Sequence, residues 1–354
     1  MVTVIRANEM GFCMGVRRAV QSMEGEASPE RPVFSVGEIV HNPHVVSSLE
    51  RNGVIQLPGP DQVHGDIGAA TAARVPEGRV AITAHGVGER AMKELQASGL
   101  EVIDTTCPIV TRAQRYAQKF VRDGWHVLIF GDPGHKEVRG IMGWTMGKDG
   151  LSQATIAPSA DFGALKDLVD GFPGGFPNKI AVMVQTTHKM EDFAKFVSNL
   201  MLLGRDRNFE MHVVNTLCHA TTGQQEAAAA LASTVDVMVV VGGKKSANTR
   251  HLREVCEEQG TVAHHIEGAE DLLVVGVVMA NVGGAACFVE NRTDNPQQSI
   301  AAVGIEYAYS FCQADCILRR IFTMTNVTSI ILDICYTVNI FWLIRKLNLS
   351  MFMH

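Results

Sequence analysis

The feature that most constrains the fold is an alternation of short apolar segments with amphipathic ones along residues 15–259. The apolar segments predict β-strands at 32–36, 79–84, 101–104, 126–130, 180–184, 212–214 and 235–241. The amphipathic segments predict helices at 15–22, 89–98, 109–123, 190–200, 224–233 and 250–259. This alternation predicts α/β units with mainly parallel sheets, in which ligands bind at the carboxyl ends of the strands.

Length and composition narrow the class of protein. A chain of 354 residues suits two or three domains, each with its own core. The net charge of -6 gives no general attraction to nucleic acid, so no nucleic-acid partner is expected. The eight cysteines contain no CxxC pair, which argues against a zinc ribbon or a disulfide framework. A strand at the start of the chain leaves no room for a signal peptide, so a cytoplasmic location is expected.

Three cysteines follow apolar segments and precede helical ones, in VTVIRANEMGFCMG, EVIDTTCP and HVVNTLCHA. They are Cys13, Cys107 and Cys218, and their separations of 94 and 111 residues each match the size of a small α/β domain. Three such domains around a pseudo-threefold centre would bring three thiolates to one point. The alternative is that these cysteines fall near strand ends by coincidence.

Three histidines occupy turns of the same kind. His41 lies in GEIVHNPHVV, His85 in AHGVGER and His135 in GDPGHKEVRG, each between a predicted strand and a helical segment. A helix N-terminus offers free N–H groups and partial positive charge, and imidazole adds donors, so this set suits a phosphate or diphosphate. The alternative is that each is an ordinary surface or capping residue.

The segment VDVMVVVGGKKSANTRHLREVC leads from a strand through two glycines to Ser246 and Asn248. Its hydroxyl and amide groups suit a phosphate oxygen, and they suit equally well the N-cap of the helix that follows. The segment does not match GxxxxGK[ST], so it is not a P-loop.

Eight motifs in this order resemble the LytB/IspH family, 4-hydroxy-3-methylbut-2-enyl diphosphate reductase. They are GFCMGVRRAV, GEIVHNPHVV, AHGV, DTTCP, GHKEVRG, VQTT, NTLCHATTGQQ and GGKKSANT, and the resemblance covers residues 2–270. It implies three similar α/β lobes with mainly parallel sheets around a central iron–sulfur cluster. The expected lobes are 1–106, with the N-terminal strand and Cys13, then 107–216 and 217–290, followed by a divergent apolar C-terminal tail at 291–354.

The resemblance also implies a role for each matching residue. It assigns Cys13, Cys107 and Cys218 to a 4Fe-4S cluster, in which three cysteine ligands leave one iron open to substrate. It assigns Glu137 and Thr186 to proton transfer. It assigns the binding of the diphosphate to His41, His85, His135, Ser246 and Asn248.

The implied reaction removes the allylic hydroxyl of (E)-4-hydroxy-3-methylbut-2-enyl diphosphate with two electrons and protons. It gives isopentenyl and dimethylallyl diphosphate, in the last step of the non-mevalonate isoprenoid pathway. The sequence contains no dinucleotide-binding GxGxxG in the required context, so ferredoxin or flavodoxin is expected to donate the electrons.

The chain departs from the family pattern near Asp271. LLVVGVVMANVGGAACFVEN stands where the family has a strand and a Gly-Ala-Ser turn, so a serine ligand of the diphosphate is missing. This loss motivates one alternative to an active reductase, an inactive cluster-binding relative that acts as a sensor or interaction module. A second alternative, which does not depend on the loss, is a zinc hydrolase with the three cysteines as metal ligands and Glu137 as the base.

The C-terminal tail contains a long apolar stretch. Residues 327–344 carry a single charge, Asp333, and are close to the length of a membrane span. Three interpretations stay open: a helix packed on the core, a membrane or partner anchor, and sequence foreign to the native reading frame or splice form.

Overall fold

The computed structural model describes residues 4–59, 67–75, 77–147, 150–268, 271 and 286–290. The chain begins with strand β1 (Val4–Arg6). The described strands form three four-stranded sheets, and every strand pair in them is parallel. We call these sheets and the helices that cover them the first, second and third lobes.

The first lobe consists of α1 (Met14–Glu26), β2 (Val33–Val36), α2 (Pro43–Arg51), β3 (Val54–Leu57), α3 (Ile67–Arg74), β4 (Arg79–Ile82), α4 (Glu89–Ala97) and β5 (Glu101–Asp104). Its strand order is β3-β2-β4-β5. Two groups of buried side chains cover the sheet; one includes Val20 and Met23 of α1, and the other includes Ala91 and Leu95 of α4.

The second lobe consists of α5 (Pro108–Arg122), β6 (His126–Phe130), α6 (Lys136–Met142), β7 (Ala154–Ala157), α7 (Phe162–Asp170), β8 (Lys179–Val184), α8 (Met190–Gly204) and β9 (Glu210–Val213). Its strand order is β7-β6-β8-β9. The central strands β6 and β8 are almost wholly buried, as expected for parallel strands with helices on both faces.

The third lobe consists of α9 (His219–Ala232), β10 (Val237–Val241), α10 (Ala247–Glu258), β11 (Val262–Ile266) and β12 (Ala286–Glu290). Its strand order is β1-β12-β10-β11. The N-terminal strand therefore lies in the third sheet, whereas the sequence analysis assigned it to the first lobe. Val4 pairs with Ala286 of β12, and the chain then crosses to the first lobe through the segment that carries Cys13.

The predicted α/β architecture with parallel sheets is confirmed. Each predicted strand and helix has a counterpart, most of them shifted at the ends by a few residues. No helix within the described ranges is both long enough and apolar enough to cross a membrane. The missing serine turn and the C-terminal tail, including residues 327–344, lie outside the described residues.

Candidate active site

The three predicted cysteine ligands each stand at the N-terminus of a helix. Cys13 is the N-cap of α1, Cys107 of α5 and Cys218 of α9. All three are free thiols, and none uses its side chain to cap its helix. A helix N-terminus stabilises a thiolate, so each sulfur lies where it can serve as a metal ligand.

The three thiols also lie close enough together for electrostatic interactions between them. Burial raises the pKa of Cys13 above its ordinary value, backbone N–H groups lower it in part, and Cys218 raises it further. Burial likewise raises the pKa of Cys107, with smaller upward contributions from Cys13 and Cys218. Since negative charge on any one thiol opposes charge on the others, a bound cation would relieve the repulsion.

Gly15 allows α1 to approach Cys107. A Cβ atom at this position would lie 2.5 Å from the Cys107 Sγ and 3.0 Å from its Cβ. Arg18 strengthens the same approach by donating to the carbonyl of Thr106 at 3.1 Å. The first and second cysteines thus come together across a contact that a larger side chain would block.

The histidines predicted to bind an anion form one cluster. The ligand nitrogens of His41, His85 and His135 all lie within 4.8 Å of one another. The ring centroids are 4.8 Å apart for His41 and His85, and 5.6 Å apart for His85 and His135. Nδ1 of His85 is buried and has no hydrogen-bond partner among the described residues, so it is free to meet a ligand.

Burial controls the charge of this cluster. It lowers the pKa of His135 to about 4, with further lowering by His41. Burial also lowers the pKa of His85 well below its ordinary value, and both neighbouring histidines add to the effect. These two imidazoles are therefore neutral near pH 7, and each can donate one N–H to an anion.

Glu38 joins all three lobes beside this cluster. Its carboxylate accepts from Nδ1 of His41 at 3.1 Å and from Lys245 of the third lobe at 2.8 Å, and Lys136 of the second lobe is 3.8 Å away. The bond from His41, followed by those cations, lowers the pKa of Glu38 to about 2. The bond to Nδ1 fixes the orientation of the His41 ring and leaves its other nitrogen for a ligand.

Glu137 and Thr186 form a buried pair. Glu137 is 2% exposed, and its two carboxylate oxygens accept from the N–H and the Oγ1 of Thr186, each at 2.8 Å. Burial raises the pKa of Glu137, although the two bonds from Thr186 lower it in part. The carbonyl of Thr186 in turn accepts from the N–H of Cys218 at 2.9 Å, which places this acid beside a cysteine.

Ser246 and Asn248 lie at the start of α10. Ser246 is the N-cap, and its Oγ accepts from the N–H of Thr249 at 3.3 Å, so its hydroxyl hydrogen is still available to donate. Nδ2 of Asn248 donates to Oε1 of Gln224 at 2.8 Å. A Cβ on Gly243 would lie 1.3 Å from the carbonyl oxygen of His41, so this loop packs directly on the first lobe.

A cavity of about 120 Å³ collects most of these groups. The predicted site residues on its wall are Cys13, His41, His85, His135, Glu137, Ser246 and Asn248. Cys107, Cys218 and Thr186 are not among its lining residues, although Thr187 is. The cavity therefore brings the histidine cluster, a buried acid and one thiol together in a single space.

Three contributors were not predicted from the sequence. Gly15 gave no signal beyond its place in GFCMG, and Glu38 and Gln224 lie inside the quoted motifs without a role. Gln224 is 5% exposed, and its role rests on buried contacts with residues that are distant along the chain. The fourth described cysteine, Cys256, is buried in the core of the third lobe, as expected of a structural residue.

Comparison with known proteins places this arrangement among the reductases. A family model described as LytB protein matches residues 4–305. A 4-hydroxy-3-methylbut-2-enyl diphosphate reductase from Dehalococcoides mccartyi strain CBDB1 is 39% identical over 266 residues, 75% of this chain and 85% of that relative. One from Geobacter metallireducens is 34% identical over 269 residues, 76% of this chain and 85% of that relative.

Solved structures show the same fold. The E-1-hydroxy-2-methyl-but-2-enyl-4-diphosphate reductase from Plasmodium falciparum aligns with a TM-score of 0.69 at 24% identity, over 86% of this chain and 87% of that one. A structure of (E)-4-hydroxy-3-methyl-but-2-enyl diphosphate reductase, described as the terminal enzyme of the non-mevalonate pathway, aligns with a TM-score of 0.54 at 28% identity. That match covers 88% of this chain and 99% of that one.

The fold and the relatives together define a class of protein: oxidoreductases of α/β fold with three sheets of parallel strands. The chain belongs to the LytB protein family. The family match extends to residue 305, beyond the resemblance at 2–270 on which the sequence analysis relied.

Proposed function

We propose that the chain reduces (E)-4-hydroxy-3-methylbut-2-enyl diphosphate to isopentenyl and dimethylallyl diphosphate. The observation that carries the proposal is the single cavity that holds the histidine cluster, Glu137 and Cys13. The conversion consumes two electrons and two protons. One proton leaves with the hydroxyl as water, and the other ends on carbon.

The proposed cofactor is a 4Fe-4S cluster held by Cys13, Cys107 and Cys218, and the family uses an iron–sulfur cluster. The donors fit such a group, since three free thiols at helix N-termini lie within electrostatic reach of one another. When bound, a cluster with three cysteine ligands supplies electrons and one open iron that can act as a Lewis acid.

Glu137 and Thr186 supply the proton in this proposal. Because burial raises the pKa of Glu137, a larger fraction of its side chain stays protonated near neutral pH than for an exposed glutamate. Thr186 Oγ1 lies 2.8 Å from that carboxyl group and can both accept and donate a proton. Hydroxide is a poor leaving group, so the delivery of this proton lets the hydroxyl depart as water.

The diphosphate is held by His41, His85, His135, Ser246 and Asn248. His85 and His135 contribute N–H donors, His41 contributes its second ring nitrogen, and the N-terminus of α10 contributes its partial positive charge. Lys136 and Lys245 add positive charge nearby through their contacts with Glu38. Ferredoxin or flavodoxin as electron donor and a cytoplasmic location belong to the same proposal.

The test is anaerobic turnover after reconstitution with iron and sulfide, using an artificial reductant and product analysis. Formation of both five-carbon diphosphates, abolished in Glu137→Gln, supports the reductase. A protein that assembles the cluster but yields no product is the inactive sensor or interaction module, for which the missing serine turn is the motivation. Zinc without inorganic sulfide would identify the hydrolase.

A further inference from the structure

A buried chain of amide groups crosses from the first cysteine to the anion site. Gln224 of α9 lies in its middle. Its Nε2 donates to the carbonyl of Gly11 at 2.8 Å, and its Oε1 accepts from Nδ2 of Asn248 at 2.8 Å. Both hydrogen bonds are buried, and Gln224 is 5% exposed.

The chemistry of Gly11 fixes the direction of the whole chain. A backbone carbonyl can only accept, so the nitrogen end of the Gln224 amide must face it. The oxygen end then faces Asn248, which must turn its own nitrogen toward Gln224. Neither amide can flip without placing two acceptors or two donors together, and an unpaired buried group costs more than a normal hydrogen bond gains.

This arrangement determines what Asn248 can offer a ligand. One of its two amide N–H groups is used by Gln224, so one is left to donate. Its Oδ1 is buried and has no hydrogen-bond partner among the described residues. Asn248 lines the cavity, whereas Gln224 is absent from the cavity wall, so Gln224 acts on a ligand only through Asn248.

The amide chain joins parts that are far apart in sequence. Gly11 and Gln224 are separated by 213 positions, and Gly11 is two residues from Cys13. Gly11 has a backbone φ of 88°, a conformation that favours glycine. The turn that presents Cys13 and the loop that presents Asn248 are thus held in register by one side chain.

We propose that Gln224 is a positioning residue of the anion site, which fixes the amide of Asn248 so that its free N–H meets a phosphate oxygen. The inference rests on the proposed function, since it takes the cavity to be a diphosphate site. Gln225 provides a matched control. It is the next residue of α9, is 6% exposed, and donates to the carbonyl of Thr187 at 3.2 Å without contacting Asn248.

The experiment is calorimetric titration of the full chain with inorganic diphosphate, together with thermal melting of each variant. Gln224→Met should raise the Kd for diphosphate by about five- to tenfold. This is the effect of losing one well-placed hydrogen bond, here the one from the Asn248 amide to a phosphate oxygen. Gln225→Met should leave the Kd within about twofold, although it should lower the Tm, because it loses one partly buried bond from a side-chain amide to a backbone carbonyl. Gln224→Glu keeps an acceptor for Asn248 but places a second acceptor against the carbonyl of Gly11 and adds negative charge near the anion, so it should weaken binding at least as much as Gln224→Met.

Coupling to Asn248 separates positioning from general loosening. Asn248→Ala should weaken diphosphate binding, and adding Gln224→Met to it should cause no further loss, because residues that act through one contact are not additive. Wild-type affinity in both Gln224→Met and Gln224→Glu would overturn the inference, as would additive losses or an equal loss in Gln225→Met. If wild type itself does not bind inorganic diphosphate, the proposed anion site fails, and the inference fails with it.

Discussion

Replacement of Gly15 by alanine tests how the first two cysteines come together. The new Cβ would lie 2.5 Å from the Cys107 Sγ, whereas non-bonded heavy atoms prefer separations of about 3.5 to 4.0 Å. Either α1 or α5 must therefore move by about 1 Å. A metal site loses its geometry when its ligands shift by more than about 0.5 Å, so the cluster should no longer assemble properly.

The energetic cost of Gly15→Ala can be bounded. Overpacking of a well-packed site costs about 1 to 3 kcal/mol, and alanine within a helix returns up to about 1 kcal/mol relative to glycine. The net loss of folding stability should thus be at most about 3 kcal/mol, which still leaves a folded protein. The defect should appear in cluster loading rather than in folding.

The assay is the content of iron and acid-labile sulfide per chain after anaerobic reconstitution. Gly15→Ala should hold at most about a third of the wild-type amount, given a ligand displacement of this size. Gly25→Ala is the control, since Gly25 lies in the same helix and a Cβ there meets nothing within 4 Å. Full loading of Gly15→Ala, with a normal cluster absorption spectrum, would refute the inferred convergence of Cys13 and Cys107.

Three further predictions concern the cavity. Thr186→Val removes one of the two donors to Glu137; because that hydrogen bond favours the ionised carboxylate, the pKa of Glu137 should rise further. Turnover needs the protonated acid and falls as pH rises through that pKa, so the alkaline limb of the rate should move to higher pH while the maximal rate drops about 10- to 100-fold. In the wild type, the lowering of the Glu38 pKa from 4.5 to about 2 contributes folding stability that is present above pH 4.5 and is lost as the pH falls toward 2. Glu38→Gln has no carboxylate here, so its folding stability should lack this dependence on pH. Gly243→Ala should abolish binding of inorganic diphosphate, since its Cβ would lie 1.3 Å from a carbonyl oxygen of the first lobe.

Each of these has a control or a contrary outcome. An unchanged pH profile in Thr186→Val would show that Glu137 does not set the alkaline limb. Acid unfolding of Glu38→Gln with the wild-type pH dependence would show that the contacts of this carboxylate are not made in solution. Gly223→Ala serves beside Gly243→Ala, because a Cβ at Gly223 meets nothing within 4 Å.

Among the described strands, the sequence predicted every central strand except β12 and three of the six edge strands, which are β1, β5 and β9. β6, β8 and β10 are continuous apolar runs, because helices cover both of their faces. β3, β7 and β11 were missed; each is an edge strand with partly exposed positions and no clean alternation. Periodicity carries little information where a strand has one partner and mixed exposure.

The candidate site was predictable in its residue types but not in its supporting contacts. Motifs identified the histidines, Glu137 and Ser246, which the cavity brings together. They gave no role to Glu38, whose bond to Lys245 spans 207 positions. Such contacts depend on how the lobes pack, and spacing along the chain does not encode them.

Neither the short helix α6 nor the sheet to which β1 belongs could be predicted from the sequence. α6 has seven residues, too few to show a helical period, yet it positions Glu137. β1 pairs with β12 in the third sheet, and nothing in its three residues indicates that partner.

The most direct test of the central claim is Mössbauer spectroscopy of full-length protein reconstituted anaerobically with ⁵⁷Fe, recorded with and without the diphosphate substrate. Three cysteine ligands on a four-iron cluster predict that about one iron in four differs from the rest, and that its signal alone shifts when substrate is added. Four equivalent irons, or a spectrum that substrate leaves unchanged, would contradict the proposal that Cys13, Cys107 and Cys218 hold a cluster with one iron open to the substrate.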